Sequence, residues 1–239
     1  MKKILAVLLF TLPTMAVAID LEGYYITVKG GESKTRNTGE TQLNLISGTH
    51  LTIQNEDLGA GSAFGFSVGK YLTDNFRLEL EAIKRTGYKY DARVTSPDFT
   101  AYTEEAKIQT EAVFINGFYD FQPFTMSNTA ITPYLGGGVG ISRNKMGTVA
   151  IVFNGIPTTE TVGSNTINRL AYKFSAGTLV SLTEQLSLDL NYQYVNLGAF
   201  KAGNDVYISG VFSGNNQRGI NGGEIKSQEL MVGLRYTFK

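Results

Sequence analysis

The closing stretch "SQELMVGLRYTFK" alternates without a break. Leu230, Val232, Leu234, Tyr236 and Phe238 fall on one side, and Glu229, Gly233, Arg235 and Thr237 on the other. Successive side chains of an extended chain point to opposite faces, so this is a strand with one apolar and one polar face. The same period recurs upstream. Phe64, Phe66 and Val68 oppose Ala63, Gly65, Ser67 and Gly69; Phe76, Leu78 and Leu80 oppose Arg77, Glu79 and Glu81; Leu186, Leu188, Leu190 and Tyr192 oppose Ser187, Asp189, Asn191 and Gln193. No stretch after residue 18 stays apolar for the ~20 residues that a membrane-crossing helix needs. A chain of this kind meets a membrane with strands or not at all.

The opening "MKKILAVLLFTLPTMAVA" has Lys2 and Lys3, an apolar run from Ile4 to Leu12, and Ala16-Val17-Ala18. Those are the three zones of a secretory signal peptide, and the apolar run is too short for an anchoring helix. Residues 1–18 are therefore predicted to be an export signal, and 19–239 a single barrel domain. The formal net charge is +0, which argues against nucleic acid as a partner, because phosphate contacts need a concentrated excess of Lys and Arg. Cysteine is absent, so disulfides, thiolate metal sites and a Cys nucleophile are excluded.

Strand patterns are predicted near residues 21–30, 61–71, 76–85, 107–120, 132–145, 167–179, 186–197 and 226–238. "FSVGKYLTDNFRLELE" and "FSAGTLVSLTEQLSLDLN" repeat one hairpin, each with Leu-Thr, an acid and an amide at its turn. A third turn runs through "FQPFTMSN" and is somewhat longer. The remaining connections are long and polar, at about 31–60, 86–106, 146–166 and 198–225. All of them lie at one end. That asymmetry is expected of an all-β, eight-stranded antiparallel up-and-down transmembrane β-barrel, with short turns in the periplasm and long loops outside the cell.

A soluble barrel would put the apolar sets inside. Against that stands the identity of the other face, with Gly136, Gly138 and Gly140 in strand five and Ser175 and Gly177 in strand six. Tiny residues solvate a surface poorly, but they let a narrow eight-stranded barrel close around long neighbours. The apolar sets therefore turn outward, and Phe64, Phe66, Val68, Leu78, Leu80, Leu188, Leu190, Leu230, Val232 and Leu234 are expected to face lipid. With no tryptophan among the residues, tyrosine and phenylalanine must form the aromatic girdles. Tyr71, Phe76, Tyr119, Phe121, Phe124, Tyr236 and Phe238 are expected at the periplasmic rim.

"AVFINGFYDF", "ITPYLGGGVGIS", "LTEQLSLDLNYQYVNLG" and "LMVGLRYTF", together with the export signal, resemble the small outer-membrane barrels of the opacity-protein and OmpA-like type. That group includes bacterial surface antigens and adhesins. The resemblance spans nearly the whole mature chain, and its motifs are structural. It implies a place in the outer membrane, and roles in adhesion, envelope integrity or small-solute leakage. It also implies that Tyr236 and Phe238 belong to the terminal signal read by the barrel-assembly machinery, with Lys239 as a departure from the pattern.

Arg77, Glu79, Glu81, Lys173, Asp189, Glu229 and Arg235 fall on the inferred inner face. They are expected either to pair into a network that plugs the bore or to stand individually hydrated in it. Strand four fits two phases: Asn116 inward turns Val113, Ile115, Tyr119 and Glu111 outward but Phe114 and Phe118 inward, the opposite phase fits nearly as well, and a bulge is a further option. His50, the single histidine, sits in the first long loop and reads as solvated rather than catalytic. Glu104-Glu105 reads as a solvated loop pair, and "GGGVG" as a strand rather than a phosphate loop, since "ISRNK" continues an extended pattern. No cofactor, metal or enzymatic activity is expected.

In the last two long loops, "GTVAIVFNGIP" and "DVYISGVFSG" are apolar runs among polar residues. They are read either as interaction patches or as extensions of the hairpins beyond the membrane. The reading that follows is a monomeric surface antigen or adhesin, anchored by its barrel, meeting outer-membrane lipid and a host or environmental ligand. A small-solute channel is the alternative, and a lipid-modifying enzyme ranks below it.

Overall fold

The computed structural model describes residues 21–36, 41–44, 50–53, 57–96, 99–153, 159–215 and 220–239. The expected export signal lies outside them. Among the described residues there is no helix, and eight long strands make the wall: β1 (Tyr24–Thr35), β2 (Ala60–Tyr71), β3 (Phe76–Ser96), β4 (Phe99–Asp120), β5 (Thr129–Met146), β6 (Asn165–Ser181), β7 (Leu186–Lys201) and β8 (Ile220–Thr237).

Each of these pairs antiparallel with the next. The ring closes where β8 meets β1, from Tyr25 opposite Thr237 to Thr35 opposite Ser227. No wall strand keeps a free edge through the barrel, which is what a chain needs if water is not available to its backbone groups.

The repeated Leu-Thr turns owe their likeness to one device. Thr73 Oγ1 accepts from the amides of Asn75 and Phe76, and Thr183 Oγ1 from those of Gln185 and Leu186; a threonine hydroxyl tying down the turn that follows it is a local alternative to the strand ladder. The third turn is tightened by Phe124–Met126 folding back on β5, with Ser127 and Asn128 at positive φ. Two consecutive left-handed residues suit a hairpin reversal. These turns lie with both described chain ends at the near end of the barrel.

At the far end the strands run well past the predicted limits. The connection expected at 86–106 is largely a continuing ladder of β3 and β4. The register slips between Arg85 and Tyr88, where Gly87 takes φ +100°, so a bulge exchanges the inward set from odd positions (Arg77, Glu79, Glu81, Arg85) to even ones (Tyr88, Tyr90, Ala92). Strand four needs no bulge of its own. Phe114, Asn116, Phe118 and Asp120 are buried inward, and Val113, Ile115 and Tyr119 are exposed outward.

The reason is the neighbouring strand. A Cβ on Gly136 would meet the Phe118 ring, one on Gly138 the Asn116 side chain, and one on Gly140 the Val113 carbonyl and Phe114. Three glycines make the space that two phenylalanines and an asparagine occupy.

Of the ten side chains expected on the outside, Phe64, Phe66, Val68, Leu78, Leu80, Leu190, Leu230, Val232 and Leu234 are exposed, and Leu188 is half-buried on the same face, opposite Leu234. Each large apolar side chain left in water forgoes ~1.5–3 kcal/mol. Ten of them, at ~15–30 kcal/mol, would outweigh the whole ~5–15 kcal/mol that holds an ordinary domain together. The belt demands an apolar solvent.

Candidate functional site

The bore is charged and closed in on itself. Glu81 is held by Lys173 and by Lys29 at 2.8 Å. Glu79 accepts from the Tyr25 hydroxyl at 3.2 Å and lies 3.8 Å from Arg77, 3.9 Å from Lys29 and 4.0 Å from Arg235. Arg77 Nε donates to both oxygens of Asp120 at 3.0 and 3.1 Å, and its guanidinium lies 4.1 Å from the Phe118 ring centre. Arg235 donates to Asp189 at 3.1 Å, and Asp189 also accepts from Tyr134.

One level toward the far end, Arg85 grips both oxygens of Glu229, which accepts in addition from Ser33, Ser227 and Gln193. All seven charges expected on the inner face lie in this network. Sequence reading missed Lys29, Arg85 and Asp120. The parity of their strands carried the signal: Lys29 continues Tyr25 and Thr27, Arg85 continues Arg77 through Ile83, and Asp120 continues Asn116 and Phe118. The five carboxylates Glu79, Glu81, Asp120, Asp189 and Glu229 balance the five cations Lys29, Arg77, Arg85, Lys173 and Arg235. Charges withdrawn from water persist when they are paired in this way.

The near rim carries aromatic pairs. Tyr119 and Phe121 stack edge to face at 5.3 Å, Tyr236 and Phe238 at 5.1 Å, and Phe76, Tyr119, Phe121, Phe124 and Tyr236 are exposed. Tyr71 departs from the expected girdle. It sits at an odd position of β2, turns inward, donates to Asp120 at 3.1 Å and leans on Tyr25. Phe238 is fixed through its amide, which donates to the Tyr24 carbonyl at 2.8 Å. Lys239 reaches Glu184 in the adjacent turn at 2.5 Å and holds that carboxylate below its usual range.

Beyond the far rim the sheet branches, and a raised part of it continues from the outer half of β4. Tyr102 to Glu105 pair with Val149–Phe153, which pairs with Thr159–Val162, then Asp205–Ile208, then Val211–Asn215. The described parts of both apolar runs singled out in the sequence, Val149–Phe153 and Asp205–Ile208 with Val211–Asn215, are thus strands of one sheet, and each divides its side chains between two faces. Val149, Ile151 and Val162 are buried in a cluster with Tyr88, Tyr90, Tyr102 and Phe200. Val152, Ile208, Val211 and Phe212 are exposed, the last two at 70% and 57%.

The acidic pair expected in solvent is split by the same alternation. Glu104 is buried and accepts the Tyr90 hydroxyl at 3.1 Å, while Glu105 faces out. His50 opens a short strand opposite Asn44. The Gly136 to Gly140 run lies within β5 as expected.

Comparison with known proteins places this geometry. A family model described as the outer membrane protein beta-barrel domain matches residues 4–238. Outer membrane protein PagN of Salmonella typhimurium is 25% identical across 93% of this chain and 93% of its own length. A candidate adhesin of Rickettsia bellii is 27% identical across 99% of both. Among solved structures, the outer membrane protein OprG from Pseudomonas aeruginosa superposes with a TM-score of 0.52 at 14% identity, over 91% of this chain and 96% of that one. That last likeness bears on the fold alone.

Proposed function

The chain belongs to the outer membrane protein beta-barrel family and resides in the outer membrane, and from that premise we propose that it is a surface adhesin whose barrel is an anchor. The near end, with the short turns and the chain ends, faces the periplasm, and the raised sheet faces the cell exterior. The binding surface is the outermost hairpin of that sheet, Asp205–Ile208 with Val211–Asn215. The supporting observation is the set of apolar side chains at its tip, Ile208, Val211 and Phe212, left exposed although the same sheet buries Val149, Ile151 and Val162. An exposed apolar cluster on a hydrogen-bonded hairpin, rimmed by polar residues, suits docking to another macromolecule. The names of the relatives point the same way.

The test has two arms. Because the chain has no cysteine, Ser213→Cys introduces a unique label, and a membrane-impermeant maleimide should react with it on intact cells; absence of labelling in a folded protein rejects the orientation. Replacing residues 205–215 by a tight turn should abolish attachment of expressing bacteria to host cells while the heat-modifiable gel migration of the barrel persists. Undiminished attachment would remove the hairpin from the reading.

A further inference from the structure

Three cations stand together on the outward wall where β3, β4 and β5 leave the apolar belt. Lys84 is the register partner of Glu111, and Glu111 of Arg143; one outward position further along β5, Lys145 faces Gln109. All of these side chains are exposed. Glu111 pairs with Lys84 at 2.9 Å and also feels the charges of Arg143 and Lys145, so three cations share one carboxylate and the cluster keeps an excess of two positive charges. Arg143 and Lys145 leave the same strand two residues apart, ~7 Å along it.

Directly beneath lies a groove of about 650 Å³ lined by Phe64, Phe66, Ala82, Val113 and Ile141, with Lys84, Glu111 and Arg143 at its head. Its floor is Ala82, whose register neighbours are Phe66 and Val113. A methyl between two large side chains leaves a recess about one acyl chain wide. The recess runs straight into the cationic cluster.

We propose that this wall site seats a phosphorylated glycolipid of the outer leaflet, with an acyl chain along Ala82 and phosphate on Arg143 and Lys145. A head carrying two phosphates offers an anionic group to each of the two cations, whereas a singly charged phospholipid would leave one cation without a partner. Charge-assisted bonds from a guanidinium and an ammonium are the strong ones for phosphate. The leaflet follows from the orientation proposed above, but the binding chemistry does not.

The full chain in detergent micelles is titrated with bisphosphorylated lipid A and retention is read by native mass spectrometry. R143Q/K145Q should weaken retention by about tenfold or more. A82F, which fills the recess and keeps every charge, should weaken it to a similar degree. Lys34→Gln, an exposed cation on the outward face of β1, should leave it unchanged, and heat-modifiable migration checks that each variant is folded. Should A82F not fold, the charge pair alone decides.

Equal retention by wild type and R143Q/K145Q overturns the site. So does displacement of lipid A by millimolar inorganic phosphate, which would reveal a simple anion site, or equal retention of phosphatidylglycerol. Since the measurement is made in micelles, it stands or falls apart from the maleimide labelling and from cell attachment.

Discussion

Glu229 accepts bonds from Arg85, Ser33, Ser227 and Gln193 with no exposed surface of its own. Removing its carboxylate would leave Arg85, equally buried, with a charge and no partner, and such a loss typically costs ~3–5 kcal/mol. Glu229→Ala and Arg85→Ala should each lower the unfolding free energy in urea, measured on the refolded barrel in micelles, by about that amount. The double variant should lose less than the two together, because it buries no orphan; the coupling expected for such a pair is ~0.5–3 kcal/mol. Strictly additive losses would mean that each charge is hydrated on its own and that the network is no network.

At the level of elements, β4 and β5 are matched by volume rather than by hydropathy. A Cβ on Gly138 collides with the Asn116 side chain and the Ile115 carbonyl, and backbone cannot step aside, whereas a Cβ on Gly117 meets the Phe76 ring at an ordinary 3.5 Å. Gly138→Val should therefore open the β4–β5 seam and abolish the folded, heat-modifiable band, while Gly117→Ala should keep it. A folded Gly138→Val would show that the seam tolerates insertion and that the bore is looser than described.

The same seam shows what the sequence can and cannot tell. Two-residue alternation carried the wall, because each wall strand has one face in water-like and one in oil-like surroundings, and this is a local property of the residues. It left β4 ambiguous, because Phe114 and Phe118 look lipid-facing until the glycines opposite them are placed, and that is a pairing between strands. It misplaced Tyr71, since an aromatic near a rim suits a girdle by composition, although its odd position in β2 already turned it inward. It ended β3 near Arg85, because the bulge at Gly87 exchanges the inward set and breaks the period there, and it left the sheet beyond the far rim undecided. That sheet is built from short segments from separate loops, Tyr102 pairing with Phe153 and Glu160 with Ile208. No window of sequence contains such a contact.

For the molecule as a whole, the deciding quantity is the charge balance of the bore. Five carboxylates opposite five cations, among them three fully buried guanidiniums, fill the centre with paired groups, and an ion entering it would have to break pairs worth several kcal/mol each. The full chain in planar bilayers is therefore expected to pass no steady current. Withdrawing one sign should both open space and leave a field of the other sign. Arg77→Ala with Arg235→Ala leaves two carboxylate charges unmatched and should give cation-selective currents; Glu79→Ala with Glu81→Ala leaves two cations unmatched and should give anion-selective ones. Reversal potentials in a salt gradient separate the two, and a merely structural role for these residues would not invert the selectivity. Replacing residues 205–215 should leave the bore silent, since the block is within the wall and not at its mouth. Steady currents from the wild type that survive that replacement would identify a solute channel, and the barrel would then be more than an anchor.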